Sequence, residues 1–306
     1  MKVTVTGATG VIGRALVDEL LRRGDEVTVL SRDADRARSA LGERVEAHAW
    51  PDPKGEAPPA GALRGRDAVA HLLGEPVAQR WSNDAKREIR DSRVLATRNL
   101  VAALRELSDA ERPGVLVSQS ASGHYGPHGD ERVDESAAAG DDFLAAVTVE
   151  WEQQARAAEE LGLRVATPRT GVVLSEQGGA LDKMLPFFKL GVGGPVAGGR
   201  QYVPWVHLDD VAGGLAFSLS DERVSGPLNL TAPEPVTNKD FSQTLGRVLK
   251  RPALAPVPAL AVKALYGDMA TIVTTGVRAV PARLLELGYR FRQPELEAAL
   301  LEATSR

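Results

Sequence analysis

The stretch VTVTGATGVIGRAL, residues 3–16, constrains the fold of this chain more than any other part of it. Alternating β-branched residues over 2–7 predict a short buried strand that ends at Gly7. From 12 to 24, Ile12, Leu16, Leu20 and Leu21 fall on one helical stripe that stops at Gly24. Three glycines join the strand to the helix. Gly7 permits the tight turn, Gly10 lets the backbone approach a pyrophosphate, and Gly13 lets helix and strand pack closely. The unpaired N–H groups at the helix start, with the positive end of its dipole, favour an anion there. A glycine-rich turn can be only a turn, but a strand before it and a helix after it favour dinucleotide binding. Thr9, Val11 and Ile12 share the loop and are expected to contact the same ligand.

The strand–helix alternation continues. Strands are predicted at 26–32, 44–50, 67–74, 114–118 and 163–169. Helices are predicted at 33–41 with Asp33 as cap, from Ser82 to about 107, and at 143–161. Phe143, Val147 and Trp151 form an apolar i, i+4, i+8 stripe that should pack on the sheet. Such alternation predicts an α/β fold with a doubly wound parallel sheet and helices on both faces. Residues 51–65, rich in Pro, Gly and Ala, read as a surface loop. Beyond 170 the pattern loosens into glycine-rich loops and helices at 178–199, 235–249 (capped by Thr237), 258–276 and 281–288. The expected division is a nucleotide-binding domain over 1–170, with strands returning from about 201–232, and a smaller α/β substrate lobe made mainly of 171–306. In WVHLDD, Trp205 should pack between the lobes, His207 and Asp210 should lock strand to helix, and Asp209 should cap that helix.

Composition removes several alternatives. At 306 residues and 43% hydrophobic, the chain can bury a large core. A net charge of −4 with interspersed signs offers no nucleic-acid footprint. There is no cysteine, and no metal is expected from the five histidines. Neither a secretory leader nor an apolar run of about 18 residues is visible, so the expectation is a cytoplasmic protein with no membrane partner.

The end of the second strand bears on which nucleotide binds. An Asp or Glu there would grip a ribose 2′-hydroxyl. This chain has Ser31 and Arg32, and a guanidinium fork suits a 2′-phosphate. NADP(H) is therefore expected. The alternative makes Arg32 a solvated residue and Asp33 the ribose ligand.

With HLLGE (71–75) after the fourth strand and RTGVVL (169–174) after the sixth, the glycine spacing resembles the extended short-chain dehydrogenase/reductase superfamily. Further stretches carry the likeness to its atypical group of NAD-dependent epimerase/dehydratase-like, "epimerase family" oxidoreductases. They include GEPVAQRWSNDAKREIRDSRVLATRNLV (74–101), SASGHYGPHGDERVDES (120–136), DDFLAAVTVEWE (141–152) and the run 178–211. The resemblance implies a Rossmann-type domain, a C-terminal substrate lobe, NADP(H) and a small-molecule substrate. It also implies cofactor contacts at Leu73, Gly74, Glu75, Ser118 and Arg169, and a homodimer built through helices 82–107 and 143–161.

The superfamily's acid/base is a Tyr with a Lys four residues on. Here those places hold Leu144 and Thr148, and none of the four tyrosines has a lysine four residues later. Leu144 cannot transfer a proton and Thr148 carries no charge. Ser120 and Tyr125 are the candidates to replace the pair, with Ser122 and His124 behind them; Lys183 and Arg200 could meet an anionic or carbonyl substrate. Each has a plainer reading, as a turn, surface or helix residue. Two functions stay open: an NADP(H)-dependent oxidoreductase or epimerase-like enzyme on a small carbonyl or sugar-like substrate, and a non-catalytic NADP(H)-binding redox sensor.

Overall fold

All six strands expected before residue 170 form, and they make one parallel sheet. The computed structural model describes residues 1–305. It opens with β1 (Lys2–Thr6), α1 (Val11–Arg22), β2 (Glu26–Ser31), α2 (Ala34–Leu41) and β3 (Val45–Ala49). Next come β4 (Ala68–His71), α3 (Asn83–Arg105), β5 (Val115–Ser118), β6 (Ser120–Ala121), β7 (Arg132–Val133), α4 (Phe143–Arg156) and β8 (Arg164–Thr170). Then follow β9 (Val172–Leu174), α5 (Gly179–Lys189), β10 (Tyr202–Val203), β11 (Trp205–His207), α6 (Leu208–Ser220) and β12 (Gly226–Leu230). The chain finishes with β13 (Val236–Thr237), α7 (Asn238–Val248), α8 (Ala259–Tyr266), α9 (Ala270–Thr274), β14 (Arg278–Ala279), α10 (Ala282–Glu286) and α11 (Leu296–Ala303).

The main sheet runs β3-β2-β1-β4-β5-β8-β12, every pair parallel, with β6 continuing along β8. The order reverses at β1, so the crevice at the carboxyl ends of β1 and β4 is where a doubly wound sheet receives its ligand.

Side-chain alternation explains both faces. Val3, Val5, Val27 and Val29 pack under α1 and α6 with Leu16, Leu20, Val211 and Leu215. Leu30, Val69, Leu116 and Val165 pack on the other face under α3 and α4 with Leu100, Leu104 and Ala155. The threonines of β1 are buried but bonded: Thr4 Oγ1 donates to the Ala62 carbonyl and Thr6 Oγ1 lies 2.8 Å from His71 Nδ1. A third core gathers Leu181, Leu185, Phe188, Trp205, Phe241, Leu245 and Leu300 from the C-terminal part of the chain. Asp33, Ser82 and Thr237 cap α2, α3 and α7 as expected, accepting from the amides of Arg36, Ala85 and Asp240. Such a cap contributes about 1 kcal/mol.

Four expectations need correction. β4 stops at His71, because residues 72–75 leave the sheet to border the crevice. The α-helix expected to 161 ends at Arg156 and tightens into a 3₁₀ turn over Ala157–Leu161, closed by Gly162 at φ 83°. Phe143 does not reach the sheet; its ring meets Trp81 edge-on at 5.1 Å, while Val147 and Trp151 are buried. His207, not Asp209, caps α6, its Nδ1 accepting from the Asp209 amide at 3.2 Å. Among the described residues, no helix is long and apolar enough to cross a membrane.

Candidate functional site

The loop between β1 and α1 is shaped by contacts that exclude side chains. Gly7 sits at φ 67°, and a Cβ on it would lie 2.7 Å from the Leu72 carbonyl oxygen. A Cβ on Gly13 would fall 2.2 Å from the Gly7 carbonyl oxygen. Gly10 caps α1 without any side-chain bond, so the first-turn amides keep their donors for a ligand. A Cβ on Gly10 would meet only the Gly7 oxygen, at 3.4 Å, so its other side is open. This glycine cradle with uncapped amides fits the diphosphate of a dinucleotide. Gly178 comes down on the loop from the far side, where a Cβ would lie 2.9 Å from Val11 Cγ2.

At the end of β2, Arg32 is exposed and makes no ion pair among the described residues. Asp33 is committed to its cap, and Ser31 Oγ accepts from the Asp33 amide at 3.3 Å. Arg32 is thus the free charge at the place a 2′-substituent would reach.

The second wall of the crevice is the segment after β4. His71 is fully buried between Thr6 and Thr97, and burial pushes its pKa down to about 3. Thr97 Oγ1 donates to the Arg93 carbonyl, so it accepts from His71 Nε2; Nδ1 then accepts from Thr6 Oγ1, which itself accepts from the Leu72 amide. This chain of bonds ties the tips of β1 and β4 together beneath Leu72 and Leu73. Gly74 is exposed, and the Glu75 amide donates to Ser92 Oγ on α3 at 3.0 Å. Ser118, at the tip of β5, has its Oγ buried without a hydrogen-bond partner.

Leu144 and Thr148 face a 3₁₀ turn, Ser122–Tyr125, that packs on α4. A Cβ on Gly123 would touch Leu144 at 3.3 Å, so glycine lets the turn lie against the helix. His124 Nδ1 lies 3.4 Å from Thr148 Oγ1 and 3.9 Å from Glu152 Oε1. Thr148 spends its own proton on the Ala145 carbonyl at 2.9 Å. Both groups facing Nδ1 therefore accept, which places the ring proton on Nδ1 and the lone pair on Nε2. Nε2 has no hydrogen-bond partner among the described residues and is not walled off from solvent. Desolvation, and then the charge of Arg169, push the His124 pKa down, with Glu152 opposing. The ring is neutral at pH 7.

Behind this turn lies a closed polar network. Arg169 grips Glu152 with two bonds, Nε to Oε1 at 2.8 Å and Nη2 to Oε2 at 2.9 Å. Ser120 Oγ donates to the same carboxylate at 2.7 Å. Arg169 Nη1 donates to the Tyr125 hydroxyl, which donates to Asn229 Oδ1 at 2.7 Å. Asn229 continues through its amides to Glu135 and the Val280 carbonyl.

Three expected site residues, Tyr125, Ser120 and Arg169, lie inside this network. Tyr125 is 0% exposed, its proton is given to Asn229, and burial pushes its pKa up, so it cannot reach a substrate. Ser120 and Arg169 are sealed in the same network and do not face the crevice as free groups. Lys183 is exposed on α5 and bonds the Ala78 carbonyl. Arg200 is exposed ahead of β10. The structure brings together Gly7, Thr9, Gly10, Val11, Ile12 and Gly13 with Leu73, Gly74 and Glu75 at the carboxyl edge of the sheet.

The segment bearing Ala78 is also tied to residues 264–268. Arg80 donates to the Ala264 and Leu265 carbonyls, and Lys86 pairs with Asp268 at 2.7 Å while lying over the rings of Trp81 and Phe143. Sequence reasoning missed Glu152, Asn229 and Arg93 as organising residues. Glu152 sat next to a tryptophan in a quoted motif, but nothing in its spacing pointed to Arg169.

A family model described as the NAD dependent epimerase/dehydratase family matches residues 3–230, and one described as a domain of unknown function (DUF1731) matches residues 257–303. The chain is 40% identical to the epimerase family protein Mb2239 of Mycobacterium bovis, over 99% of this chain and 98% of that one. It is 38% identical to a chloroplastic homologue of epimerase family protein SDR39U1 from Arabidopsis thaliana, over 98% of this chain and 86% of the other. The crystal structure of the human epimerase family protein SDR39U1 (isoform 2) with NADPH matches it with a TM-score of 0.88 and 35% identity, covering 100% of both chains.

Proposed function

Because the chain belongs to the NAD dependent epimerase/dehydratase family, we propose that it is an NADP(H)-dependent oxidoreductase or epimerase-like enzyme acting on a small carbonyl or sugar-like substrate, with His124 handling the proton. The observation that carries the reading is the cradle of Gly7, Gly10 and Gly13 with its uncapped helix amides. The exposed, unpaired Arg32 and the NADPH in the human relative support the phosphorylated dinucleotide. When bound, the nicotinamide supplies or accepts the hydride.

His124 does the rest at Nε2. Thr148 holds its Nδ1 proton, and burial keeps the ring neutral. Nε2 takes the proton of a substrate hydroxyl during oxidation and returns a proton to the oxygen during carbonyl reduction. The sign of the pH dependence follows. Oxidation needs the neutral ring, so its rate rises with pH through a pKa below the ordinary histidine value of 6.5, and reduction falls over the same range.

The test is a carbonyl panel followed by NADPH absorbance, with NADPH affinity measured separately. His124→Gln should lower turnover by about 10²–10⁴-fold and leave NADPH affinity within about twofold. Turnover unchanged in His124→Gln would overturn the role of the histidine. A second reading, a redox-reporting NADP(H)-binding protein, is favoured by Leu144, Thr148 and the sealed Tyr125. It predicts no turnover on any compound and a large difference in affinity between NADPH and NADP⁺.

A further inference from the structure

Arg93 is a half-buried arginine near the crevice, and it is balanced differently from Arg169. Arg169 has a carboxylate held by two bonds. Arg93 makes no ion pair among the described residues; its Nη1 donates to the carbonyls of Glu75, at 3.0 Å, and Ile89, at 2.9 Å. Its guanidinium carbon lies 5.3 Å from the centre of the Trp151 ring, and the other side of the fork lies against Gly74. A Cβ on Gly74 would come within 2.8 Å of the guanidinium carbon and 2.9 Å of Nη2. Gly74 is itself exposed and belongs to the segment that borders the crevice.

The charge is poorly compensated. Desolvation pushes the Arg93 pKa down to about 10, and only the carboxylate of Glu75 opposes it, from beyond ion-pair distance. Two carbonyls and an aromatic face stabilise a guanidinium less than a carboxylate does. Nε and Nη2 have no hydrogen-bond partner among the described residues, yet neither is walled off from solvent. An arginine that keeps one edge of its fork free presents two parallel donors to an anionic oxygen group.

We propose that Arg93 is an anion-receiving residue of the crevice, and that its free edge binds a phosphate or carboxylate group of the molecule held there. The group comes either from the dinucleotide or from the substrate, and in the second case the substrate is acidic. The assignment concerns binding alone and does not depend on His124 or on hydride transfer.

The experiment measures affinity, not turnover. NADPH is titrated into wild-type protein, Arg93→Met and Gly74→Ala, and inorganic phosphate and malonate are titrated into each protein with and without saturating NADPH. Gly74→Ala adds a methyl that displaces the guanidinium and leaves the charge in the chain, so it serves if Arg93→Met fails to fold. A loss of about tenfold or more in phosphate or malonate affinity, with NADPH affinity within twofold, assigns the site to an acidic substrate. A loss of about tenfold or more in NADPH affinity, with anion competition abolished, assigns it to the cofactor. The proposal is overturned if a folded variant keeps both affinities within twofold, or if the wild-type protein binds neither anion and Arg93→Met binds NADPH normally. Failure of the wild-type protein to bind NADPH would instead count against the oxidoreductase reading, and the anion titrations on the apoprotein would still decide the role of Arg93.

Discussion

Replacing Arg169 with Met separates two roles for a buried arginine. The side chain holds Glu152 by two bonds and Tyr125 by one, and both it and the carboxylate are nearly inaccessible. Arg169→Met leaves the Glu152 carboxylate buried with Ser120 Oγ as its hydrogen-bond donor. Breaking one side of a buried pair costs about 3–5 kcal/mol. At an unfolding entropy of about 2 cal/mol/K per residue, a chain of this length should lose roughly 5–8 °C in Tm. Calorimetry on the single variant, on Glu152→Leu and on the double variant measures this directly. The double variant should recover most of the loss, because an apolar pair of similar volume replaces the charged one. NADPH affinity should stay within about twofold, since the network lies behind the turn and not on the crevice. A variant that kept its Tm within about 1 °C but lost NADPH binding would refute the argument and make Arg169 a cofactor ligand, as the family resemblance had implied.

Two further outcomes follow from charges at opposite ends of the domain. Arg32→Glu should weaken NADPH binding by about tenfold or more and leave NADH within a few-fold, because a carboxylate repels a 2′-phosphate and can accept from a 2′-hydroxyl; equal effects on both nucleotides would remove Arg32 from the site. Glu19 on α1 is paired with Arg292 and Arg22, and the bond from Arg292, more than any other cause, holds its carboxyl down to about 2. The folded-state pKa is below the ordinary 4.5, so this stabilisation is complete above pH 4.5 and is lost as pH falls toward 2. Urea midpoints should therefore fall less steeply below pH 4.5 in Glu19→Gln than in the wild-type protein.

The parts that could be read from the sequence are those whose causes are local. The strand, the three glycines and the helix of residues 2–22 are neighbours in the chain, so their spacing carries their geometry. The caps at Asp33, Ser82 and Thr237 were legible for the same reason. The polar network could not be read in this way. Tyr125 and Asn229 lie 104 residues apart, and their bond exists only because β12 returns beside β8. That return makes Tyr125 a buried strut, the plainer of its two readings as a turn residue. His124 looked like a solvated loop residue until the turn carrying it folded onto Thr148, and Arg93 drew no notice because its fit against Gly74 joins residues 19 apart in the chain.

The bonds joining residues 78–86 to Lys183 and residues 264–268 differ in kind from the buried cores. Arg80, Lys183 and the Lys86–Asp268 pair all lie in contact with water. Mobile ions weaken such contacts and leave the dry interiors untouched. Raising ionic strength therefore weakens the ties between residues 78–86 and the C-terminal residues before it touches the buried cores.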